Sequence, residues 1–447
     1  MTERLRSIAF FLYLAITVTT VMAYGTVHQP TIIAFYILSC TLVCLFAASA
    51  AMPSDLDERQ LILVPLLLFG VYALMQAMPL WTVKDAGSVE LVARSISLEP
   101  FHSLDAGVRI LVLYFITAVF IALLDSRRRL INYVIFLSIF GTGYAFFAII
   151  QSLLSPDAIY GIYTPASGTP FGSFVNRHNF AAIMEMAIAF PAGLLFTGAV
   201  GRDKYLLLIL AIAIMATALL LSGSRGGTVS TAALLIFIAL ISSKGKGGRG
   251  LAVKLILVAA LILTAVAGSV FVGGETSLAR FGDSARSEDM SSKRTEIWRV
   301  TLSVIRENLP LGAGIGAFKT AYAQHDTEAG TLAVEQAHND YLQAVADAGV
   351  VGFALGAAFL AMFAGYVRKG IREKDDLVRG IAVGAAGACF GVLIHSAFDF
   401  VLHITAVAVV FLSCLAVLVS TVGRSGEDVT GQRGPAPHAA KFGRAAN

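Results

Sequence analysis

Long apolar runs separated by short polar connections make up most of this chain, and the alternation is interrupted once, between Gly274 and Gly349. A helix of about 20 apolar residues crosses the hydrocarbon core of a bilayer. Twelve such runs can be drawn, at 7–24, 31–51, 61–80, 107–124, 131–154, 180–199, 205–221, 228–242, 255–273, 350–367, 380–397 and 403–422. The pattern predicts an all-α polytopic membrane protein of about 12 transmembrane helices, with one long loop containing short amphipathic helices. Pro30, Pro53 and Pro79 fall at run edges, whereas Pro65 and Pro191 lie inside runs and predict kinks.

The same pattern divides the chain. Residues 1–273 form a first transmembrane bundle of nine spans, 274–349 a long loop or lid, and 350–422 the last three spans. Residues 423–447 are poor in apolar side chains and are expected to form a disordered cytoplasmic tail.

Composition agrees with the spans. The chain is 57% hydrophobic and only 14% charged, against about 25% charged in soluble domains. A net charge of +4, scattered over short connections without aromatic platforms, argues against a nucleic-acid partner. Those basic residues set an orientation instead. With the N-terminus inside, the cytoplasmic segments hold 21 Lys and Arg, and the short opposite loops hold four, Lys84, Arg94, Arg177 and Arg225. Both termini are then inside and the long loop is outside. Cys40, Cys44, Cys389 and Cys414 sit in apolar runs without metal-ligand spacing, so packing is their expected role and no metal or other cofactor is expected.

In a membrane protein, reactive polar groups collect where water and a polar substrate can reach them. Four outward places qualify. The first is Thr164 to Asn179, where Asn176 or Asn179 can cap the following helix and Arg177 adds positive charge beside free N–H groups. The second is the turn Ser222-Gly-Ser-Arg-Gly-Gly227, in which Arg225 breaks the charge bias and glycines allow close approach of backbone to a phosphate.

The third is Ser291 to Glu307. Ile297, Val300, Val304 and Ile305 recur there at helical spacing while Arg294, Arg299 and Arg306 fall off the stripe, which predicts an amphipathic helix lying at the membrane surface. The fourth is His338, opening a predicted helix that Gly349 would end. An imidazole there suits activation of a sugar hydroxyl. Asp340 is its nearest acid in sequence, but adjacent helix positions do not face each other, so a His338–Asp340 dyad is not expected. Each pattern also fits a solvated surface. Taken together, arginines and a histidine on one side of one bundle can neutralise a diphosphate leaving group and activate an alcohol.

Five segments in order, Gly172 to Ala181, Ser222 to Gly227, Arg294 to Trp298, Pro310 to Phe318 and His338 to Gln343 with Gly349, resemble the O-antigen ligase and polymerase superfamily. The resemblance extends over roughly residues 130 to 400 and includes His395-Ser-Ala-Phe-Asp-Phe400. It implies a metal-independent inverting glycosyltransferase of the bacterial inner membrane, working on the periplasmic side with a donor glycan on undecaprenyl diphosphate. The implied acceptor is a sugar hydroxyl of lipid A-core in a ligase, or another lipid-linked glycan in a polymerase. Carried over by position, His338 is the activating residue, and Arg225 and Arg294 hold the diphosphate. Arg177 departs from the pattern, since Asn-Arg-His-Asn stands where the family is expected to have Asn-Pro-Asn. A transporter or flippase of lipid-linked sugars is the competing class, although Arg109 and Glu185 supply little intramembrane charge for a central relay.

Overall fold

The computed structural model describes residues 2–49, 58–84, 91–166, 168–243, 248–286, 288–326 and 334–423. Its elements run α1 (Thr2–Met22), α2 (Gln29–Ala48), α3 (Val64–Ala77), β1 (Trp81–Lys84), β2 (Leu91–Arg94), α4 (Pro100–Leu123), α5 (Arg127–Leu154), α6 (Arg177–Thr197), α7 (Tyr205–Leu221), α8 (Arg225–Ile241), α9 (Gly248–Arg286), α10 (Glu288–Asn308), α11 (Phe318–Ala323), α12 (Asp340–Gly370), α13 (Asp376–His395) and α14 (Thr405–Thr421). Among the described residues, ten helical segments are long and apolar enough to cross a membrane, and α8 and α14 are shorter apolar helices. The protein is an all-α polytopic membrane protein. Its departure is a small antiparallel hairpin, β1 on β2, with Trp81 opposite Arg94.

Proline chemistry shapes two spans differently. Pro65 occupies the first turn of α3, where its missing N–H would have had no partner, and the chain before it is a tighter 3₁₀ segment, Glu58–Leu63. Pro191 lies inside α6, which continues through it to Thr197.

The middle of the bundle is α6. From Asn179 to Thr197 every residue except Leu194 is buried, as expected of a helix that is apolar all round and enclosed by others. Helix α13 lies against it through small residues. A Cβ on Gly193 would stand 2.5 Å from the backbone nitrogen of Gly384, so the two backbones touch where a side chain has no room. Gly193→Val is expected to separate these helices at a cost of at least about 1–3 kcal/mol, read as a lower midpoint in thermal unfolding of the detergent-solubilised protein.

The polar stretch is organised by its own small core. Val300 and Val304 of α10 pack with Phe318, Ala321 and Tyr322 of α11, and with Ala337 and Ala346 around the start of α12. This corrects the expectation of a helix lying on the membrane surface: its apolar stripe is covered by neighbouring parts of the same stretch. Gln76 of α3 ties this unit to the bundle. Its side-chain amide donates to the carbonyl oxygens of Leu311 and Asp347, each at 3.0 Å, and its Oε1 accepts from the Ile315 N–H at 3.0 Å.

Both flanking helices extend into the polar stretch. Helix α9 runs to Arg286, and α12 passes from Asp340 to Gly370 with a bend at Gly349. Gly349 has φ +57°, and a Cβ there would lie 2.1 Å from the Pro310 carbonyl oxygen. Gly349 is therefore non-helical and ends the first helical stretch, as expected, and a second stretch continues directly from it to Gly370. Cys389 and Cys414 are buried, while Cys40 and Cys44 face outward. Residues 424–447, expected as a disordered tail, lie outside the described residues.

Candidate active site at three helix N-termini

Three helices begin close together at one end of the bundle, each with a polar cap. Asn176 caps α6 by accepting from the His178 N–H at 2.9 Å, and Ser224 caps α8 by accepting from the Gly227 N–H at 3.1 Å. Asn339 caps α12 by accepting from the Tyr341 and Leu342 N–H groups, both at 3.0 Å. The first residues of α6 and α8 are Arg177 and Arg225. Helix N-termini carry partial positive charge and spare N–H groups, which favours an anion.

Asp399, in the connection between α13 and α14, is the hub. The His338 Nδ1–H donates to its Oδ1 at 3.1 Å, and the Phe400 N–H donates to the same oxygen at 2.9 Å. The guanidinium of Arg294 lies 3.5 Å from Oδ2, and His178 Nδ1 lies 3.6 Å from it. The carboxylate is only 3% exposed, so these partners replace its water. Burial alone would raise its pKa; the His338 hydrogen bond, then the positive charge of His178, His338 and Arg294, hold it well below the usual carboxylate range.

The backbone holds His338 as firmly as the side chain does. Its φ is +50°, a left-handed conformation rare for a residue with a Cβ. On one side Ala337 is fixed twice: the Trp298 indole donates to its carbonyl oxygen at 3.0 Å, and its N–H donates to Gln343 Oε1 at 2.6 Å. On the other side the Asn339 amide donates to the Ala397 carbonyl oxygen at 3.0 Å, and the Asp340 N–H donates to that of Ser396 at 2.9 Å. With Nδ1–H bonded to Asp399, the Nε2 lone pair is left to accept a proton.

Behind this lies a second layer. His178 Nδ1 is 2.8 Å from Ser224 Oγ, which joins the start of α6 to the cap of α8. His395 ends α13 and is fully buried, with Nδ1 3.3 Å from Glu185 Oε1 of α6. Glu185 also accepts from the Ser230 hydroxyl. Gly226 makes room for this: a Cβ there would lie 3.0 Å from the His395 ring. Gly223 of the same turn faces Arg177, whose Nη1 would be 3.2 Å from a Cβ at that position.

All four residues singled out in the sequence therefore reach one neighbourhood. His338 and Arg294 meet at Asp399, while Arg177 and Arg225 flank the α6 and α8 starts and the turn between them. Asp340 pairs elsewhere, with His403 Nδ1 at 2.8 Å, so no His338–Asp340 dyad forms. Sequence reasoning missed Asp399, His178 and His395. Their signal was present, since both segments carry the family resemblance, but nothing local assigned them a role.

His178, His395 and Asp399 each offer one ligand atom, all within 4.8 Å of one another. Against a cation there, both Asp399 oxygens are already engaged and the Arg294 guanidinium stands 3.5 Å away. Such a site can take a proton from an alcohol at His338 and stabilise negative charge building on a phosphate beside it.

No curated protein matches the chain. Residues 210–357 match the family model described as O-antigen ligase, a segment that contains Arg225, Arg294 and His338 and leaves Arg177, His178, His395 and Asp399 outside. Over that segment this multi-pass membrane protein is similar to the O-antigen ligase family.

Proposed function

We propose that the protein transfers a glycan from undecaprenyl diphosphate to a sugar hydroxyl of lipid A-core, on the periplasmic face of the bacterial inner membrane. The observation that carries this reading is the imidazole of His338, anchored by buried Asp399 with Arg294 on the same carboxylate, where three helix N-termini converge. Basic residues concentrated at the opposite ends of the spans support a periplasmic site and cytoplasmic termini.

In the proposed reaction the acceptor hydroxyl binds at His338 Nε2 and loses its proton there as its oxygen attacks the anomeric carbon. The bond from that carbon to the diphosphate oxygen breaks, and its electron pair leaves with the phosphate. Attack from the face opposite the leaving group inverts the anomeric configuration. Arg225 and Arg294 stabilise the departing charge, and Arg177 extends the positive field at the α6 start. Asp399 balances the imidazolium that forms and keeps the ring oriented. Residues 274–349 act as a lid over this site, resting on the bundles formed by 1–273 and 350–422.

Lysine substitution separates charge from geometry at the arginines. Arg225→Lys and Arg294→Lys keep one positive charge but lose the planar fork, and each is expected to lower turnover by about 10–100-fold. Near-normal rates for both, measured with lipid-linked donor in membranes, would remove their diphosphate role. Because arginines supply the positive charge, turnover is expected to be unchanged by a divalent-cation chelator.

The acceptor is tested by deleting the gene. A ligase deletion leaves polymer on the lipid carrier and none on lipid A-core. Single repeat units remaining on the core would identify a polymerase that uses a second lipid-linked glycan as acceptor. Translocation by proteoliposomes without glycosidic bond formation would identify a transporter.

A further inference from the structure

A cluster of four rings stands apart from the residues assigned to chemistry. Tyr24 is its centre, with ring centroids 5.3 Å from His28, 5.7 Å from Tyr160 and 5.3 Å from Tyr163, all edge to face. His28 and Tyr163 meet at 5.3 Å as well. Two of the residues come from the connection between α1 and α2, and two from the loop that leads into α6. All four are partly exposed.

The backbone holds these rings at a conformational cost. Tyr24 and Tyr160 have φ of +56° and +57°, and Thr26, in the same turn as Tyr24, has +61°. Left-handed conformations in bulky residues persist only where the surroundings enforce them, and they gather at ligand clamps. Here the Tyr160 hydroxyl donates to the Met22 carbonyl oxygen, and the Tyr160 N–H donates to Gln151 Oε1 at 2.9 Å. Among the described residues, the Tyr24 and Tyr163 hydroxyls and the His28 ring nitrogens form no hydrogen bond to the protein.

The cluster lies at the same end of the bundle as His338. A Cβ on Gly25 would lie 2.6 Å from the Phe174 ring and 3.4 Å from Ile404 Cγ2. Phe174 is three residues before Arg177, and Ile404 follows His403, the partner of Asp340. The turn that carries Tyr24 therefore packs against the segments that lead into α6 and α14.

From this geometry we infer that Tyr24, His28, Tyr160 and Tyr163 form a glycan-binding subsite that takes a pyranose ring of the substrate. A pyranose offers one face of C–H groups, which suits the negative face of an aromatic ring, and a rim of hydroxyls, which suits phenol and imidazole tips. Rigid tyrosines supply such contacts with little side-chain entropy to lose. An interfacial aromatic belt would satisfy the exposure but does not call for strained backbone at two of four rings. The inference rests on the proposed glycan transfer for its substrate class, and the subsite binds sugar independently of turnover.

The test uses the full chain in lipid nanodiscs and a lipid-free core oligosaccharide of lipopolysaccharide as probe, followed by saturation-transfer NMR. Saturation is expected to reach the C–H protons of a sugar ring. Tyr163→Leu, which keeps bulk without a ring, is expected to weaken binding about fivefold or more and to raise KM for the glycan equally, with kcat within about twofold. Tyr163→Phe retains the stacking face and should restore most of both. His28→Leu provides a second variant if Tyr163→Leu fails to fold. Unchanged binding and KM in both Leu variants would overturn the subsite and leave the rings as interfacial anchors. Glycan transfer by wild type without saturation of the probe would also overturn it, while leaving the transferase reading intact. Saturation lost in the Leu variants of a protein that transfers no glycan would support the subsite and sink the transferase reading instead.

Discussion

Replacing His338 by Ala is expected to reduce glycan transfer by about 10²–10⁴-fold, the usual contribution of a positioned general base, while the protein still inserts and folds. Folding should survive because the links around His338 are made by its neighbours: Trp298 and Gln343 hold Ala337, and the Asn339 amide holds Ala397. Loss of the imidazole does leave Asp399 with one partner fewer. The Arg294 contact and the Phe400 N–H remain to satisfy that carboxylate. The variant also relieves the left-handed backbone only slightly, since Ala at φ +50° is disfavoured as well. Full transfer by His338→Ala, assayed in membranes at wild-type protein levels, would remove the residue from the chemistry.

Asp399→Asn should cost nearly as much activity and, unlike the first variant, stability too. The amide is neutral and can present N–H where the carboxylate accepted, so it no longer selects the His338 tautomer that leaves Nε2 free. A loss of about 10²–10⁴-fold in turnover is expected for a misoriented base. Arg294 also loses its counter-charge in a poorly hydrated place; His178, whose burial lowers its pKa to about 4, is neutral at pH 7 and loses none. Because Arg294 is 25% exposed, a cost of about 1–3 kcal/mol is expected, below that of a fully buried pair.

The pH dependence has a definite sign. The Asp399 carboxyl is held below its usual value in the folded state, so its charge stabilises the fold fully above the ordinary carboxylate pKa. That stability is lost as pH falls through the lowered folded value. The unfolding midpoints of wild type and Asp399→Asn should therefore differ at pH 7 and begin to draw together only below about pH 4, meeting as pH reaches the lowered folded value. A gap that persists unchanged into acid would mean that Asp399 contributes through shape alone.

The spans were legible because hydrophobic runs of the right length are a one-dimensional signal. The same reading singled out His338, Arg225 and Arg294, since polar groups on the outer connections of an apolar bundle are few. Their partners were not legible. Asp399 stands 61 residues from His338, beyond an intervening span and return, and no periodicity records which helix ends meet. The same limit explains the α10 stripe. Ile297, Val300, Val304 and Ile305 report that a helix face will be covered, and they are silent on whether lipid or Phe318 and Tyr322 covers it. Glu185 was visible as an isolated acid in an apolar run. Its pairing with His395 became apparent only when α6 and α13 were brought together.

Arg177 now has a more definite setting. It opens α6 on the Asn176 cap, faces the glycine turn of Arg225, and precedes His178, which reaches both Ser224 and Asp399. The Asn-Arg-His-Asn sequence thus adds a cation and an imidazole at a helix start, and this chain uses both in one cluster.

The most direct test is a reconstituted reaction. Purified wild-type protein in proteoliposomes would be given undecaprenyl diphosphate-linked glycan and lipid A-core, with the linkage formed analysed by NMR. The expected result is one new glycosidic bond per diphosphate released, with the anomeric configuration inverted, and no product with His338→Ala. Wild-type protein that yields no glycosidic bond from these substrates, or a His338→Ala variant that forms it at the wild-type rate, would contradict the role assigned to this site.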